Sequence, residues 1–415
     1  MPGNDSSGLR SVARALRHRN YRLFFSGQSL SLIGTWMTRI ATAWLVYRLT
    51  HSAFLLGLVS FASQAPLFFL APFAGVWVDR WNRHRTLLVT QILSMLQSFA
   101  LAVLALRGTI TITELLWLSL AQGLINAFDM PARQAFVVQM IEDRADLGNA
   151  IALNSSMVHV ARLLGPSIAG VVIAAVGEGY CFLADGVSYI AVIVSLLAMR
   201  LGQPQPRRQN ASAFQELREG WRYALGSVPI RSVLCLLALV GLVGMPYITL
   251  MPIFAGSVLQ GGPHTLGFLM GASGGGALLA AMLLASRRDV AGLGRVVGIA
   301  TAVLGAALIA FGLSRSLALS LLVIPVVGGS LMNHTAGSNT ILQTIVEEDK
   351  RGRVMSFYSM AFMGMSPFGS LLAGVLAARI GAPKTLILGG IVCLVGAAWF
   401  WRHLPNIRAH TEMQP

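Results

Sequence analysis

The sequence predicts an all-α polytopic membrane protein in which twelve transmembrane helices form two pseudo-symmetric six-helix bundles. Three observations carry that prediction: an apolar composition along nearly the whole chain, one long polar interruption at its centre, and a short motif that returns in both halves. Of the 415 residues, 55% are hydrophobic and 11% charged, with a mean hydropathy of +0.67. Soluble domains carry about 25% charged residues, so this chain cannot clothe itself in a water-exposed surface. A bilayer span takes ~20 mostly apolar residues, and the sequence places helices over 21–47, 53–78, 86–106, 112–140, 147–176, 180–200, 231–258, 264–286, 294–313, 317–345, 354–380 and 383–402.

The net charge of +15 would point to nucleic acid in a soluble protein, but its placement here says otherwise. Connectors leading from odd to even helices carry Arg48, Arg107, Arg315, Arg379 and Lys384. The termini and the even-to-odd connectors are far richer, with Arg10, Arg14, Arg17 and Arg19, then Arg80, Arg83 and Arg85, Arg207, Arg208, Arg218 and Arg222, Arg287 and Arg288, and Arg351 and Arg353. By the positive-inside rule both termini and all even-to-odd loops are expected in the cytoplasm. The basic charge is a topology signal, so the partner is the lipid bilayer and not nucleic acid. Residues 1–20 lack an apolar core segment and read as a basic cytoplasmic tail, not a cleaved signal peptide; residues 404–415 form a second tail. Cys181, Cys235 and Cys393 stand alone with no Cys/His spacing, so no metal or redox cofactor is expected.

Residues 202–229 are the central interruption. Its Pro-rich start marks a linker. Ser212 is placed to cap an amphipathic helix with Phe214, Leu217, Trp221 and Leu225 on one face, lying on the cytoplasmic surface. It divides an amino-terminal bundle, 21–201, from a carboxy-terminal bundle, 230–403. The halves resemble each other in "GVVIAAVG" (170–177) and "GVLAARIG" (374–381), and in the acid-before-base turns "MIEDR" and "IVEEDKR". Duplication of a six-helix unit is the economical explanation.

The stretch "GVWVDRWNRHRTLL" (75–88) concentrates charge in a connector between two apolar runs. Gly75 allows close approach of another helix. Asp79 sits where the helix dipole disfavours a carboxylate, which predicts a partner on another element, and Asn82 is expected in the left-handed conformation that ends a helix. Gly75, Asp79, Arg80 and Arg83 together resemble the G-x-x-x-D-R-x-G-R-x-R signature between helices 2 and 3 of the major facilitator superfamily, with Asn82 where the signature has Gly. The resemblance implies a gate: Asp79 and Arg83 clasp the second half near the start of helix 11, at "EEDKRGRV" (347–354), when the cytoplasmic side is shut.

An ionisable group at bilayer depth costs ~2.5–3.5 kcal/mol and is functional by default. The interior set is Arg39, Asp129, Arg133, His159, Arg162, Asp185 and His334. Asp129 and Arg133 are four apart on helix 4 and able to pair, close to Pro131 and among Gln122, Asn126 and Gln134. Helix 10 carries Asn333, His334, Ser338, Asn339 and Gln343 at the equivalent place, and helix 1 carries Gln28, Ser31, Thr35 and Arg39. These helices are expected to line a wet cavity on the pseudo-twofold axis. Arg162 needs a carboxylate, with Asp129 and Asp185 as candidates and Asp185 nearer the outer face. Gly165, Pro166 and Gly170 resemble the exporter motif G-P-x-x-G-G, with Ala169 replacing one Gly, which in that group bends helix 5, packs it at the interface of the halves and accompanies antiport. Further stretches ("YRLFFSGQSLSLIGTWM", "NAFDMPARQAFV", "RGRVMSFYSM") are similar to the enterobactin-exporter-like branch, which includes macrolide efflux proteins.

The resemblance implies a monomeric secondary transporter in the inner membrane, exporting a small organic molecule (siderophore, drug or related metabolite) by proton antiport and alternating access. The proton gradient drives it and no cofactor is needed. Proton coupling is expected of Asp129, or failing that Asp185, with Arg133 and Arg162, because a buried carboxylate whose arginine partner moves can change its proton affinity as access switches. An uptake symporter, a non-transporting receptor and a membrane-embedded enzyme are the alternatives. The chain carries no metal-ligand spacing, no Gly-x-Ser-x-Gly elbow and no P-loop, so an enzyme is not expected.

Overall fold

A computed structural model describes residues 14–141, 143–200, 221–286 and 292–412. Every regular element among them is helical. Twelve long passes follow in order: α1 (Arg19–Thr50), α2 (Ala53–Arg80), α3 (Arg83–Leu106), α4 (Ile112–Met140), α5 (Leu147–Val176), α6 (Glu178–Leu197), α7 (Val228–Val258), α8 (Pro263–Ala285), α9 (Leu293–Leu313), α10 (Leu317–Ile345), α11 (Glu348–Ser359, then Met365–Ile380) and α12 (Ala382–Glu412). At 1.5 Å per residue the shortest is about 30 Å long, enough to cross the hydrocarbon core. Ten of these helices are apolar enough to span by composition alone. The two that fall short are α1 and α4, which carry the interior charges Arg39, Asp129 and Arg133.

Local chemistry sets the ends. Ser52 caps α2 by accepting from the Leu55 amide, and Thr111 with Glu114 makes a reciprocal capping box on α4. Gly177 and Gly381 end α5 and α11 at φ +94° and +88°, a conformation open to glycine and strained for other residues. These are the closing glycines of the repeated "GVVIAAVG" and "GVLAARIG", so the internal repeat is visible as equivalent helix stops.

Several boundaries differ from expectation. The connector between α2 and α3 is only Trp81 and Asn82. Asn82 is extended (φ −70°, ψ 108°), not left-handed, and its side chain accepts from the Arg85 amide. Trp81 closes α2, its amide donating to the Trp77 carbonyl, and asparagine caps the next helix instead. At the carboxy terminus α12 runs on to Glu412, so residues expected as a free tail continue the helix. The amphipathic linker helix falls largely outside the described residues. Its last turn is helical, with Trp221 edge-on to Phe357 of α11 (5.5 Å).

Within the first half α1 packs on α6 and α5, α2 on α4, and α3 on α6. The second half repeats the scheme with α8 on α10 and α9 on α12. Two seams join the halves, α5 to α8 and α2 to α11. Both close through glycine: Gly170 lies against Gly267, and Gly57 against Gly374. Small residues let backbones meet where no hydrophobic force drives helix association.

The core is asymmetric along the membrane normal. At the end opposite the termini, called here the far end, one continuous buried cluster runs through both halves, from Met37 and Leu45 to Tyr247, Phe254 and Phe311. At the basic end each half has its own core, one around Tyr21, Phe24 and Phe136 and the other around Val233, Ile341 and Phe400. Among the described residues the buried core therefore joins the bundles at the far end and not at the basic end. Large exposed side chains such as Leu96, Val103, Trp117 and Leu322 face outward, as lipid contact requires.

Candidate functional site

The interior charges gather in the amino-terminal bundle. Asp129 on α4 is buried and its Oδ1 accepts from Thr90 Oγ1 and Gln91 Nε2 on α3, each at 2.8 Å. Arg133, one turn along, pairs with Oδ2. Gln122 reaches Ser94 of α3 and Asn126 of its own helix. The polar stripe of α4 thus faces α3, inside its own bundle, and not helix 10 across the axis. The sequence holds a signal for its partner: Thr90, Gln91, Ser94, Gln97 and Ser98 recur at helical spacing on α3 within an otherwise apolar run.

Asp185 on α6 is equally buried and differently held. Its Oδ2 accepts from Thr38 Oγ1 of α1 (2.9 Å) and Ser98 Oγ of α3 (2.8 Å). Its Oδ1 is buried with no hydrogen-bond partner among the described residues, and no ion pair reaches it there. Gly34 of α1 makes the space, since a Cβ there would lie 2.8 Å from that oxygen and 2.9 Å from the Asp185 Cα. Thr35 lies beside Tyr189 (3.5 Å), one turn further along α6. Thr38 and Ser98 were not expected as site residues. Single hydroxyls in apolar helices carry little sequence signal until a carboxylate is seen beside them.

Arg162 is not paired with either carboxylate. It lies over Trp36 of α1, 5.9 Å from the ring centroid, and Arg39 covers the same ring at 4.8 Å. Each such contact contributes about 0.5–2 kcal/mol. Gly165 permits the arrangement, because a Cβ there would sit 2.4 Å from the Trp36 Cβ. Arg39 is exposed. Gln28 is buried within the bundle and does not reach a cavity.

In the second half His334 is fully buried and bonds through Nδ1 to Thr301 of α9 (2.8 Å), so it is turned into its own bundle and does not line a central space. Asn333 and Asn339 are half-buried, and Gln343 is exposed and donates to Asn339 (2.8 Å). Among the gate residues, Arg83 opens α3. The surroundings of Gly75 and the side chains of Asp79 and Arg80 lie outside the described residues. In the segment 347–354, Glu347 pairs with Lys350 (2.5 Å), whose ammonium covers Tyr223 (4.6 Å).

Gly165, Pro166 and Gly170 lie along the face of α5 shared with α1 and α8. Gly267 packs on the Pro166 carbonyl and on Gly170, and Gly271 on Ser167. Further contacts join the bundles: Tyr47 of α1 bonds to Ser257 of α7 at the far end (2.7 Å), and nearer mid-depth Phe61, Phe68 and Phe69 of α2 surround Phe368 of α11. Arg48 meets Glu178 through two bonds (2.8 and 3.2 Å).

Two similar six-helix bundles, joined at one end and enclosing buried charges at mid-depth, define a transporter of the major facilitator type. The chain belongs to the transmembrane secretion effector family, whose model matches residues 11–414. It is 26% identical to a staphyloferrin A transporter of Staphylococcus aureus over 91% of this chain and 95% of that protein. It is also 26% identical to the multidrug efflux pump Tap of Mycolicibacterium fortuitum over 85% and 88%, and 23% identical to the enterobactin exporter EntS of Shigella boydii over 99% and 98%. In fold it is similar to a bacterial homologue of the lysosomal transporter Spinster in an inward-facing, occupied conformation (TM-score 0.72, 15% identity, 94% and 97% covered). Membership of this family makes the chain a multi-pass transporter and not an enzyme.

Proposed function

We propose that the protein exports a small organic molecule across the bacterial inner membrane in exchange for protons, by rocking one bundle against the other. The efflux and export named for several relatives support the outward direction. The basic end is cytoplasmic on this reading, so the closed far end faces outward and the conformation described is open to the cytoplasm, ready to load cargo. Closure of the basic end brings Asp79 and Arg83 towards the segment 347–354.

The proton carrier is Asp185, and the observation that carries this choice is its partnerless Oδ1. Asp129 is held by Arg133 and two neutral donors, an environment made for a fixed carboxylate. Asp185 has hydroxyl donors on one oxygen only, and a proton on the other would satisfy the group without a counter-ion. Movement of α1 relative to α6 changes the distance of Arg39 from Asp185 and with it the tendency to hold that proton.

Metabolite profiling of medium from cells with and without the protein identifies the cargo and its direction. In proteoliposomes with an imposed pH gradient, Asp185→Asn is expected to abolish cargo-driven proton flux while leaving downhill cargo exchange. Asp129→Asn is expected to lower both. Full coupling in Asp185→Asn removes this assignment.

A further inference from the structure

We infer that Trp36, Arg39 and Arg162 form a receiving site for the carboxylate of an organic anion, at mid-membrane on the seam between the bundles. Trp36 and Arg39 lie just past the middle of α1, and Arg162 at the middle of α5. Both guanidinium groups are drawn to one indole, within 4.8 and 5.9 Å of its centroid. Among the described residues neither arginine makes an ion pair or a hydrogen bond. Two like charges within electrostatic range of each other at mid-membrane are offset by an anion. The chain does not provide one in contact. The nearest carboxylate to Arg39, Asp185, lies within electrostatic range but takes its bonds from Thr38 and Ser98, and Asp129 is committed to Arg133.

The pair is also built in. Gly165 exists where Trp36 needs the space, and Arg162 stands on the stretch of α5 whose backbone carbonyl packs on Gly274 of α8. An anion bound here touches α1 and α5 and lies beside the second bundle, so its arrival is felt at the seam that must move. A planar guanidinium fork suits a carboxylate, which it engages through paired hydrogen bonds. Arg39 is the more exposed of the two arginines. The inference deepens the transport reading by naming a substrate class and rests on it for the word substrate. It does not rest on the direction of transport or on protons.

Full-length protein in detergent is titrated by calorimetry with citrate, a polycarboxylate, and with salicylate, an aryl carboxylate. Inorganic phosphate and tetraphenylphosphonium serve as controls. The wild type is expected to bind at least one of the two carboxylates, and Arg39→Gln and Arg162→Gln each to weaken that binding by about 10- to 100-fold. Arg22→Gln, at the basic end of α1, is expected to leave it unchanged. Where a glutamine variant does not insert, Arg39→Lys and Arg162→Lys keep the charge but lose the planar fork, and each is expected to weaken binding by a smaller factor. Binding of neither carboxylate by the wild type, retention of affinity in the arginine variants, or phosphate bound as tightly as the carboxylate overturns the proposal. Because the assay needs no gradient, loss of proton coupling in liposomes leaves this inference standing, and failure here leaves export by another recognition chemistry intact.

Discussion

At the scale of single residues, what matters is how each buried charge is held. Asp129 and Asp185 are both acids within apolar helices, and the sequence ranks Asp129 first as the proton carrier. Their neighbours separate them: a cation and two donors around one, two hydroxyls and a bare oxygen around the other. Gly34 is the residue that makes the second environment possible. Gly34→Ala puts a methyl group against both the carboxylate oxygen and the Asp185 backbone, so a small shift of a flexible side chain cannot relieve it. Overpacking of this kind costs about 1–3 kcal/mol, and the variant is expected to unfold at a lower temperature than wild type in a detergent melt and to lose proton coupling. An unchanged melt with full coupling would mean that α1 and α6 part easily here.

Elements show where local reading sufficed and where it did not. Capping at Ser52 and the Thr111–Glu114 box follow from residue type and spacing, and the stops at Gly177 and Gly381 follow from the repeat. Asn82 was misjudged because a helix end and the next helix start compete for the same residue when only two residues lie between them. Asp129 of α4 and His334 of α10 turn inward for a different reason. A polar stripe on a membrane helix must be covered, but periodicity does not say by which neighbour, and α3 and α9 supply the cover inside each bundle. At the seams the glycines carry a prediction. Gly170→Leu fills the place where Gly267 now touches α5 and is expected to widen the far end. Spin labels at Thr109 and Ser316, exposed on far-end connectors of opposite bundles, should report a longer distance by double electron–electron resonance. An unaltered distance would show that this seam does not control closure.

For the whole molecule, the arrangement of cores describes the conformation better than any single contact. One cluster spans both bundles at the far end and two separate clusters hold the basic end. Opening the far end must divide a continuous apolar core and break the bond between Tyr47 and Ser257. Tyr47→Phe removes that bond and is expected to cost the closed state about 1 kcal/mol, roughly a five-fold shift in population towards far-end opening. The same pair of spin labels reads it as a larger long-distance fraction, and identical distributions would show that the hydroxyl contributes nothing to closure.

The sequence by itself determined the class and the count: twelve helices, two related halves, a basic side, and the residues that carry interior charge. Hydropathy, charge asymmetry and repetition are properties of the chain read in order, and each is imposed by the bilayer on every span separately. Only the tertiary structure decided that Thr38 of α1 reaches Asp185, that Arg39 and Arg162 share the Trp36 ring, and which end of the pathway is shut. Those depend on helix rotation and on contacts between residues more than a hundred positions apart, and they are set by packing among neighbours that no single helix specifies.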